Sequence, residues 1–337
     1  MRTFAYSRAD SVDHAAHRTM PDAAFVAGGT TLLDLIKLDV LKPENVVDIN
    51  ALPLKRVERL DDGRLRIGAL VTNTDLAHHP EVKSHYPVLS EALLAGASTQ
   101  LRNMATTAGN VMQRTRCPYY RDPAARCNRR EPGSGCDAMD GINRMHAVLG
   151  GSDACIAVHP SDMCVGIAAI GATLTLQGPD GEREVDFADF HRLPGDTPHI
   201  EHDLANGELI TAITLDAPLE NARSHYLKLR DRASYEFALA SCAAQVVLDG
   251  DTIREARLAL GGVATKPWRC SDAEAALVGQ SADKASFERA ADIALKDAQA
   301  REHNGYKIPL ARQAIVRALR NAARGETPAS ETQESQA

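Results

Sequence analysis

The chain has 337 residues, of which 44% are hydrophobic and 25% are charged. These proportions are close to the average of globular proteins, and the length allows two or three domains. A net charge of -7 and an aromatic content of 4% argue against nucleic-acid binding. We also expect no membrane insertion and no signal peptide, because no apolar run approaches the roughly 18 residues of a membrane helix.

Strand and helix patterns alternate through the first half of the chain, which is typical of an α/β or α+β protein. Strands are predicted over residues 3–6, 24–27, 46–49 and 65–70. Helices are predicted over residues 12–20 and 32–38, after residues 72–74, and over residues 87–95.

The second half continues the alternation around a loop near residue 220, which we interpret as a domain boundary. Before the loop, the patterns predict a helix at 163–170, a hairpin of strands at 172–177 and 184–185, and a strand at 209–215. After it they predict strands at 241–248 and 253–261 and helices at 271–278, 286–300 and 309–323. The polar residues 326–337 are expected to be disordered.

Two glycine-containing loops have the character of a phosphate site. The sequence GGTT at residues 28–31 lies between a predicted strand and a predicted helix, where backbone amides and the helix dipole favour an anion. The sequence TTAGN at residues 106–110 is similar, so the two loops could bracket one pyrophosphate. Neither matches the Rossmann or Walker pattern, and an ordinary turn remains the alternative for each.

Four of the seven cysteines lie in a proline- and glycine-rich insert of about residues 113–156. This insert has few apolar residues to form a core, so we expect a cross-link or a metal to stabilise it. Their spacing is C-x9-C-x8-C-x18-C. Four thiolates are what a cubane iron–sulfur cluster requires, whereas the absence of a C-x2-C pair fits a zinc ribbon badly. Zinc and unligated thiols remain alternatives. The candidate ligands are Cys117, Cys127, Cys136 and Cys155.

Other residues in and near the insert have simpler interpretations. Cys164, Cys242 and Cys270 are expected to be buried free thiols, and His146 and His159 to be hydrogen-bonded loop histidines. Six arginines flank the four cysteines and are expected to offset the charge of a cluster and to lower the thiol pKa values. They are Arg114, Arg116, Arg121, Arg126, Arg129 and Arg130.

Six segments, in order along nearly the whole chain, carry a resemblance to a known family. They are AGGTTLLDLIK (27–37), VVDIN (46–50), LRIGAL (65–70), QLRNMATTAGN (100–110), HPSDM (159–163) and YLKLRDRASYEFALAS (226–241). Together they resemble the FAD-binding medium subunit of the molybdenum hydroxylases, the family of xanthine dehydrogenase and carbon monoxide dehydrogenase. The insert resembles that of the 4Fe-4S-containing FAD subunit of bacterial periplasmic aldehyde oxidoreductases.

The resemblance implies an α+β fold. Residues 1–220 would form a two-subdomain FAD-binding domain of the PCMH, or vanillyl-alcohol-oxidase-like, type that carries the insert. Residues 221–325 would form a small α/β domain of the CO dehydrogenase flavoprotein type. Thr31, where the family often has Asn, Ser or Asp, and Ala108, in place of the first glycine of GGN, are small departures.

The resemblance also implies residue roles. Two groups would enclose the FAD pyrophosphate, and two further residues would approach the flavin or its ribityl chain. From the residues alone, Asp162 has a helix N-cap as its alternative and Lys228 a solvated strand edge. The first group is Val26, Ala27, Gly28, Gly29, Thr30, Thr31 and Leu32; the second is Thr106, Thr107, Gly109 and Asn110; the flavin-proximal pair is Asp162 and Lys228.

Function follows from the same resemblance. The chain would pass electrons from 2Fe-2S clusters on a small partner subunit to FAD and an external acceptor, while a large molybdenum-cofactor subunit oxidises an aldehyde. The equivalent subunit of a hydroxybenzoyl-CoA reductase or a xanthine dehydrogenase is an alternative. A self-contained flavin oxidase and a metal-stabilised module without catalysis are further alternatives. The resemblance implies export to the periplasm with a partner subunit, with the cytoplasm as the alternative.

Overall fold

A computed structural model describes residues 1–17 and 23–326 of the chain. The N-terminal part is a three-stranded parallel sheet in the order β1-β3-β2, with two short helices. Within the described residues, no helix is both long and apolar enough to cross a bilayer. The elements are β1 (Ala5–Arg8), α1 (Val12–His17), β2 (Ala23–Val26), α2 (Leu32–Lys37) and β3 (Asn45–Asp48).

A five-stranded antiparallel sheet follows, in the order β4-β5-β8-β6-β7. Helices α5 and α9 pack together beside it, and every residue of α9 is buried. The elements are β4 (Val57–Arg59), β5 (Leu65–Gly68), α3 (Asn73–His78), α4 (Pro80–His85), α5 (Pro87–Ala95), α6 (Thr99–Met104), α7 (Thr107–Val111), α8 (Pro118–Arg121), α9 (Asp162–Ile170), β6 (Ala172–Gly178), β7 (Gly181–Asp186), α10 (Phe187–Phe190) and β8 (Leu209–Leu215).

The C-terminal part is a four-stranded antiparallel sheet in the order β12-β11-β10-β9, packed against three helices. Its longest helix buries a stripe of alanine, isoleucine and leucine against the sheet and ends at Gly325, which adopts a positive φ of 69° as helix-terminating glycines do. The elements are β9 (Arg223–Leu229), β10 (Ala240–Asp249), β11 (Thr252–Gly261), β12 (Trp268–Arg269), α11 (Ser271–Leu277), α12 (Lys284–Ala294) and α13 (Lys307–Arg324).

The cysteine-rich insert has little regular structure and is held by the C-terminal part. Asn143 accepts a hydrogen bond from the amide of His303 at 2.9 Å, and the Asn304 side chain donates to the carbonyl oxygen of Ala147 at 3.0 Å. Val148 and Leu149 are buried in the C-terminal hydrophobic core. As predicted, the insert has little hydrophobic core of its own. The neighbouring C-terminal sheet and helices support it.

Lys307 completes this attachment from inside the protein. Its side chain is 0% exposed, and its ammonium donates to the carbonyl oxygens of Met145 and Gly262 at 3.0 and 2.7 Å. Burial, together with the charge of Arg144, lowers the pKa of Lys307 to about 7. The Lys307 side chain thus joins the insert to Gly262, the residue that follows β11, through two carbonyl groups.

Most predicted elements agree with the structure, with shifts at their ends. The first strand is displaced to Ala5–Arg8. The helix predicted over 12–20 is present as far as His17, and its remainder lies outside the described residues, as do residues 327–337 of the tail. Helices α6 and α7 and strand β9 were not predicted as elements, although their sequences belong to motifs noted above.

The helix predicted over 286–300 is wrong at its C-terminal end. The structure has α12 at Lys284–Ala294, with Asp283 as its N-cap. The chain then turns, and the amide of Gln299 donates to the carbonyl oxygen of Val148 at 2.7 Å. A long-range hydrogen bond to the insert therefore outweighs the local helix preference of this segment.

Replacing Lys307 with Met should change how stability depends on pH. The folded-state pKa of about 7 lies below the ordinary 10.5, so the unfolded chain binds more protons between those values. Lys307 therefore makes the wild type gain stability as pH rises through this interval. Relative to K307M, the gain should be at most about 1.4 kcal/mol per pH unit.

Thermal unfolding of both proteins at pH 7, 8 and 9 measures this difference. Ile315→Val, a buried change on the same helix without a titrating group, should lower stability by a similar amount at each pH. A stability gap between wild type and K307M that is the same at pH 7 and pH 9 would contradict the assignment.

Candidate cofactor site

The two glycine-containing loops meet in the structure. The first joins β2 to α2 over residues 27–31, and the second runs from the end of α6 into α7. A Cβ atom built on Gly28 would lie 1.8 Å from the carbonyl oxygen of Met104, which is far inside van der Waals contact. Gly29 adopts a positive φ of 72°, a conformation that favours glycine. Backbone contact between the loops therefore depends on glycine at residue 28.

A buried carboxylate holds the first loop in place through Asn50. Asp48, at the end of β3, accepts hydrogen bonds from the amide and the side chain of Asn50, both at 2.8 Å, and from the Tyr6 hydroxyl at 2.5 Å. Asn50 in turn donates to the carbonyl oxygen of Ala27 at 3.0 Å. Burial alone would raise the pKa of Asp48, but these hydrogen bonds outweigh it and hold the pKa below its ordinary value.

The first loop leads directly into the N-terminus of α2. Helical bonding begins where the Leu33 amide donates to the carbonyl oxygen of Gly29 at 3.0 Å. The amides that precede a first helical bond have no acceptor within the helix. Such amides are suited to an anion, because they carry partial positive charge and point along the helix axis.

The second loop is anchored by its threonines and asparagine. The hydroxyl of Thr106 accepts from the amide of Gly109 at 3.3 Å, and both the amide and the hydroxyl of Thr107 donate to the carbonyl oxygen of Val71 at 2.9 Å. The side-chain oxygen of Asn110 accepts from the hydroxyl of Ser161 at 2.6 Å. Thr107 therefore supports the loop, whereas Thr106, Gly109 and Asn110 line the space in front of it.

Two cavities lie beside the meeting point of the loops. One, of about 430 Å³, runs between the first loop, Thr106 and Gly109, and strand β8. The other, of about 640 Å³, extends from Thr30 and Asn110 towards Asp162. Pockets of this size are typical of small-molecule and cofactor sites. Ten of the thirteen predicted cofactor residues line one or both cavities, whereas Val26, Thr107 and Lys228 lie behind the walls.

Asp162 and Lys228 form a buried ion pair at the far end of the larger cavity. The ammonium of Lys228 lies 2.8 Å from one carboxylate oxygen of Asp162, and the Tyr226 hydroxyl donates to the other at 2.6 Å. Lys228 also donates to the carbonyl oxygen of Ala95 at 3.0 Å. Burial raises the pKa of Tyr226 well above its ordinary value, and the negative charge of Asp162 raises it further.

The structure excludes the simpler interpretations of Asp162 as a helix N-cap and of Lys228 as part of a solvated strand edge. The N-cap of α9 is Ser161, whose hydroxyl accepts from the amide of Cys164 at 3.0 Å, so Asp162 is the first helical residue. The Lys228 side chain is 4% exposed, which excludes a solvated strand edge. The pair therefore ties α5, α9 and β9 together where they border the cavity.

Several residues that line the larger cavity were not predicted. The carboxylate of Asp34, on α2, accepts from Arg116 at 2.9 Å and from Arg121 at 2.7 Å. The Arg121 hydrogen bond is the main cause of the lowered pKa of Asp34. The guanidinium of Arg116 also lies over the ring of Phe237, 5.3 Å from its centre. The insert thus reaches both the first loop and the segment that follows β9.

The flanking arginines mostly pair with groups other than the cysteines, and their role in offsetting the charge of a cluster stays a prediction. Among the described contacts of these six arginines, Arg129 reaches a thiol, with a guanidinium nitrogen 3.7 Å from the sulfur of Cys155. The other five arginines form ion pairs with carboxylates or hydrogen bonds with backbone carbonyl oxygens. Arg114 and Arg129 bind Glu201, Arg116 and Arg121 bind Asp34, Arg126 binds Asp137, and Arg130 donates to the carbonyl oxygens of Tyr119 and Tyr120.

The four insert cysteines nevertheless lie close together. Cys127 and Cys136 are opposite one another in an antiparallel bridge. Burial, with smaller contributions from the charges of Cys127 and Cys155, raises the pKa of the Cys117 thiol to about 12. Burial also raises the pKa of Cys136, again with contributions from Cys155 and Cys127. The prediction of lowered thiol pKa values is wrong for Cys117 and Cys136, because desolvation dominates.

The remaining cysteines are buried free thiols, as predicted: Cys164, Cys242 and Cys270 are at most 5% exposed. The prediction for the histidines is wrong in part. His146 has one ring nitrogen 3.1 Å from the sulfur of Cys117, but its Nδ1 is buried without a hydrogen-bond partner among the described residues. His159 likewise has a buried Nε2 without such a partner.

Two loops that meet beside cavities of cofactor size, with an attached cysteine-rich insert, define a protein that binds a nucleotide cofactor. Comparison with known proteins identifies its family. Residues 2–218 match the FAD binding domain in molybdopterin dehydrogenase, and residues 225–322 match the CO dehydrogenase flavoprotein C-terminal domain. The chain therefore belongs to the FAD-binding subunits of the molybdopterin dehydrogenases, which are oxidoreductases. The predicted family, fold class and FAD cofactor are confirmed.

Similar proteins cover nearly the whole chain. It is 49% identical over 325 residues to the aldehyde oxidoreductase FAD-binding subunit PaoB of Escherichia coli (strain K12), covering 96% of this chain and 99% of that protein. It is 30% identical over 299 residues to the glyceraldehyde dehydrogenase medium chain of Sulfolobus acidocaldarius, covering 87% and 86%. Carbon monoxide dehydrogenase from Hydrogenophaga pseudoflava superposes with a TM-score of 0.75 at 28% identity, covering 96% and 98%.

Replacing Gly28 with Ala should remove FAD. The added methyl group would push the loops apart, because the atom it meets is a backbone oxygen that cannot rotate away. FAD affinity should fall at least about tenfold, the equivalent of about 1.4 kcal/mol. The measurement is FAD per chain after gel filtration, with circular dichroism as a check on folding.

Gly305→Ala is the matched control, because a Cβ there would make an ordinary contact of 3.5 Å with Ala300. It should keep FAD at the wild-type level. If G28A retains FAD as well as G305A does, the loops do not need to approach each other to bind the cofactor.

Proposed function

We propose that this chain is the FAD-carrying electron-transfer subunit of a molybdenum-dependent aldehyde oxidoreductase. In this proposal it assembles with a large molybdenum-cofactor subunit and a small 2Fe-2S subunit. The observation that carries it is the combination of one flavin-sized site with a four-cysteine insert on a chain whose 49% identical relative is an aldehyde oxidoreductase subunit. FAD, when bound, exchanges electrons singly with iron–sulfur centres and in pairs with an external acceptor.

The chain's own residues would hold and orient the cofactor. In this proposal the amides of the first loop and the small residues of the second receive the pyrophosphate, which the helix starts at α2 and α7 support. Thr30, Thr31 and Asn110 border the larger cavity, and Asp162 lies at its other end. This order along the cavity supports placing the isoalloxazine near the ion pair of Asp162 and Lys228.

The cavity offers no free general base in the Asp162 carboxylate. Both of its oxygens accept hydrogen bonds, one from Tyr226 and one from Lys228, and the side chain is 7% exposed. A carboxylate whose two oxygens both accept hydrogen bonds is held in position and is poorly placed to act on a substrate. This arrangement supports a subunit that relays electrons while the substrate is oxidised elsewhere in the complex.

The same proposal assigns a 4Fe-4S cluster to Cys117, Cys127, Cys136 and Cys155. A tetrahedral zinc site would hold its sulfurs about 3.8 Å apart, given Zn–S bonds of about 2.3 Å. The groups of three or more ligand atoms within 4.8 Å of one another among the described residues do not include these cysteines. They are nevertheless close enough for their charges to interact. This wider spacing supports a multi-iron cluster over a single zinc ion.

A cluster would also explain how the insert stays ordered. Ordering about 40 residues costs conformational entropy, and this insert has little core with which to offset it. Residues 145–147 are secured by the C-terminal part through Asn304 and Lys307. The segment around Cys127 and Cys136 is held mostly by polar contacts within the insert, such as Arg126 with Asp137 and the amide of Cys127 with the Ser134 hydroxyl. Metal bonds formed on folding would stabilise that segment.

The functional test is reduction of the flavin by an aldehyde. The chain purified with its native partners should lose its oxidised-flavin absorbance when aliphatic or aromatic aldehydes are added without oxygen. The purified chain alone should not react, because the substrate is oxidised on the partner. Reduction by hypoxanthine but no aldehyde would contradict the aldehyde assignment, and reduction of the isolated chain by an alcohol or aldehyde would establish a self-contained oxidase.

The cluster assignment is tested by Cys127→Ala, compared with Cys242→Ala, a buried cysteine on β10 outside the insert. C127A should lose about four irons and four acid-labile sulfides per complex, because a cubane needs all four thiolates. It should keep FAD, since Cys127 lines neither cofactor cavity. C242A should keep both. Equal iron in C127A and wild type would contradict the assignment.

A further inference from the structure

Three potential metal ligands lie together outside both cofactor cavities. They are His159, which precedes α9, Cys164 in the first turn of α9, and His191, which follows α10. One donor atom from each lies within 4.8 Å of the other two. Cys164 is 0% exposed and His191 is 4% exposed. We call these three residues the histidine–cysteine cluster. The cofactor proposal above uses none of them.

His191 presents a free lone pair to the cluster. Its Nε2 lies 3.1 Å from the carbonyl oxygen of Val111, and because a carbonyl only accepts, Nε2 carries the ring hydrogen. Its Nδ1 is buried and has no hydrogen-bond partner among the described residues. Metal-bound histidines commonly donate their second ring nitrogen to a backbone carbonyl in this way, which fixes the ring orientation.

His159 contributes a second buried nitrogen. Its Nε2 has no hydrogen-bond partner in the described part of the chain. Its Nδ1 accepts from the amide of Ser161 at 3.5 Å, a long contact. Ligation through Nε2 would move the ring hydrogen to Nδ1 and give up this contact, which costs little at that length. His159 also lines a third cavity, of about 210 Å³, which offers a route of entry.

Apolar rings surround the histidine–cysteine cluster on one side. The rings of Phe187 and Phe190 lie 5.3 and 5.2 Å from the ring of His191. The nearby cations already have partners: Arg129 binds Glu201 at 2.6 Å, and Lys266 donates to a backbone carbonyl at 2.9 Å. Two unpartnered buried nitrogens in such an environment are costly unless a ligand satisfies them.

We propose that the histidine–cysteine cluster binds a zinc ion. Two imidazoles and one thiolate are a borderline-soft ligand set that zinc favours, and they leave a fourth position for another ligand. Tetrahedral binding would bring the donor atoms to about 3.3–3.6 Å of one another, so each pair of donor atoms would close by at most about 1.5 Å. On binding, the proton of the Cys164 thiol is released to solvent and a Zn–S bond forms. The ion would join α9, which begins at Asp162, to α10.

The test is zinc analysis of the whole complex, with its iron and FAD in place. After incubation with zinc chloride and gel filtration, the wild type should hold about one zinc per chain. X-ray absorption at the zinc edge should show two nitrogens at about 2.0–2.1 Å and one sulfur at about 2.3 Å. His191→Phe and Cys164→Ala should each lower bound zinc at least about tenfold. Cys242→Ala, the buried-thiol control, should not.

FAD and iron measured in the same samples report folding and separate this proposal from the cofactor assignment. Wild-type FAD and iron with less than about 0.1 zinc per chain would overturn the zinc site and leave the cofactor proposal intact. A zinc spectrum with four sulfurs, or zinc that survives both H191F and C164A, would place the ion at the insert cysteines and also overturn it. The wild-type spectrum decides the matter even where a variant does not fold.

Discussion

The contact between Gly28 and the carbonyl oxygen of Met104 is the constraint on which the cofactor site depends. Two backbone segments approach more closely there than any side chain would permit. The first segment is held by Asp48 and Asn50 from the parallel sheet, and the second by the carbonyl oxygen of Val71 beside the antiparallel sheet. The two cavities exist because these separately supported loops meet at one point.

The insert connects the parts of the molecule that border the flavin site. Through Arg116 and Arg121 it reaches Asp34 behind the first loop, and through Lys307 it is tied to α13 and to Gly262, the residue that follows β11. Such buried or half-buried polar contacts fix geometry more than they add stability. A segment with almost no core therefore helps to set the relative positions of the first loop and the C-terminal sheet, whatever its cysteines hold.

The parts of the site that could be predicted carry local signals. Glycines between a strand and a helix, and four cysteines in one loop-rich segment, are visible in short windows of sequence. The partners of Asp34 are not, since Arg116 and Arg121 lie 82 and 87 positions away. The end of α12 was also not predictable from local sequence, because a hydrogen bond from Gln299 to Val148 determines it. Nor was the histidine–cysteine cluster, because its members become neighbours only when α9 and α10 pack together.

In the proposed arrangement, FAD lies between the two loops with its isoalloxazine towards Asp162. A structure of the complex with its native FAD, by crystallography or electron microscopy, tests this most directly. We expect the pyrophosphate between residues 28–31 and 106–110, and the flavin ring in the larger cavity beside the buried pair of Asp162 and Lys228. FAD bound elsewhere on the chain, or a pyrophosphate that contacts only one of the loops, would contradict it.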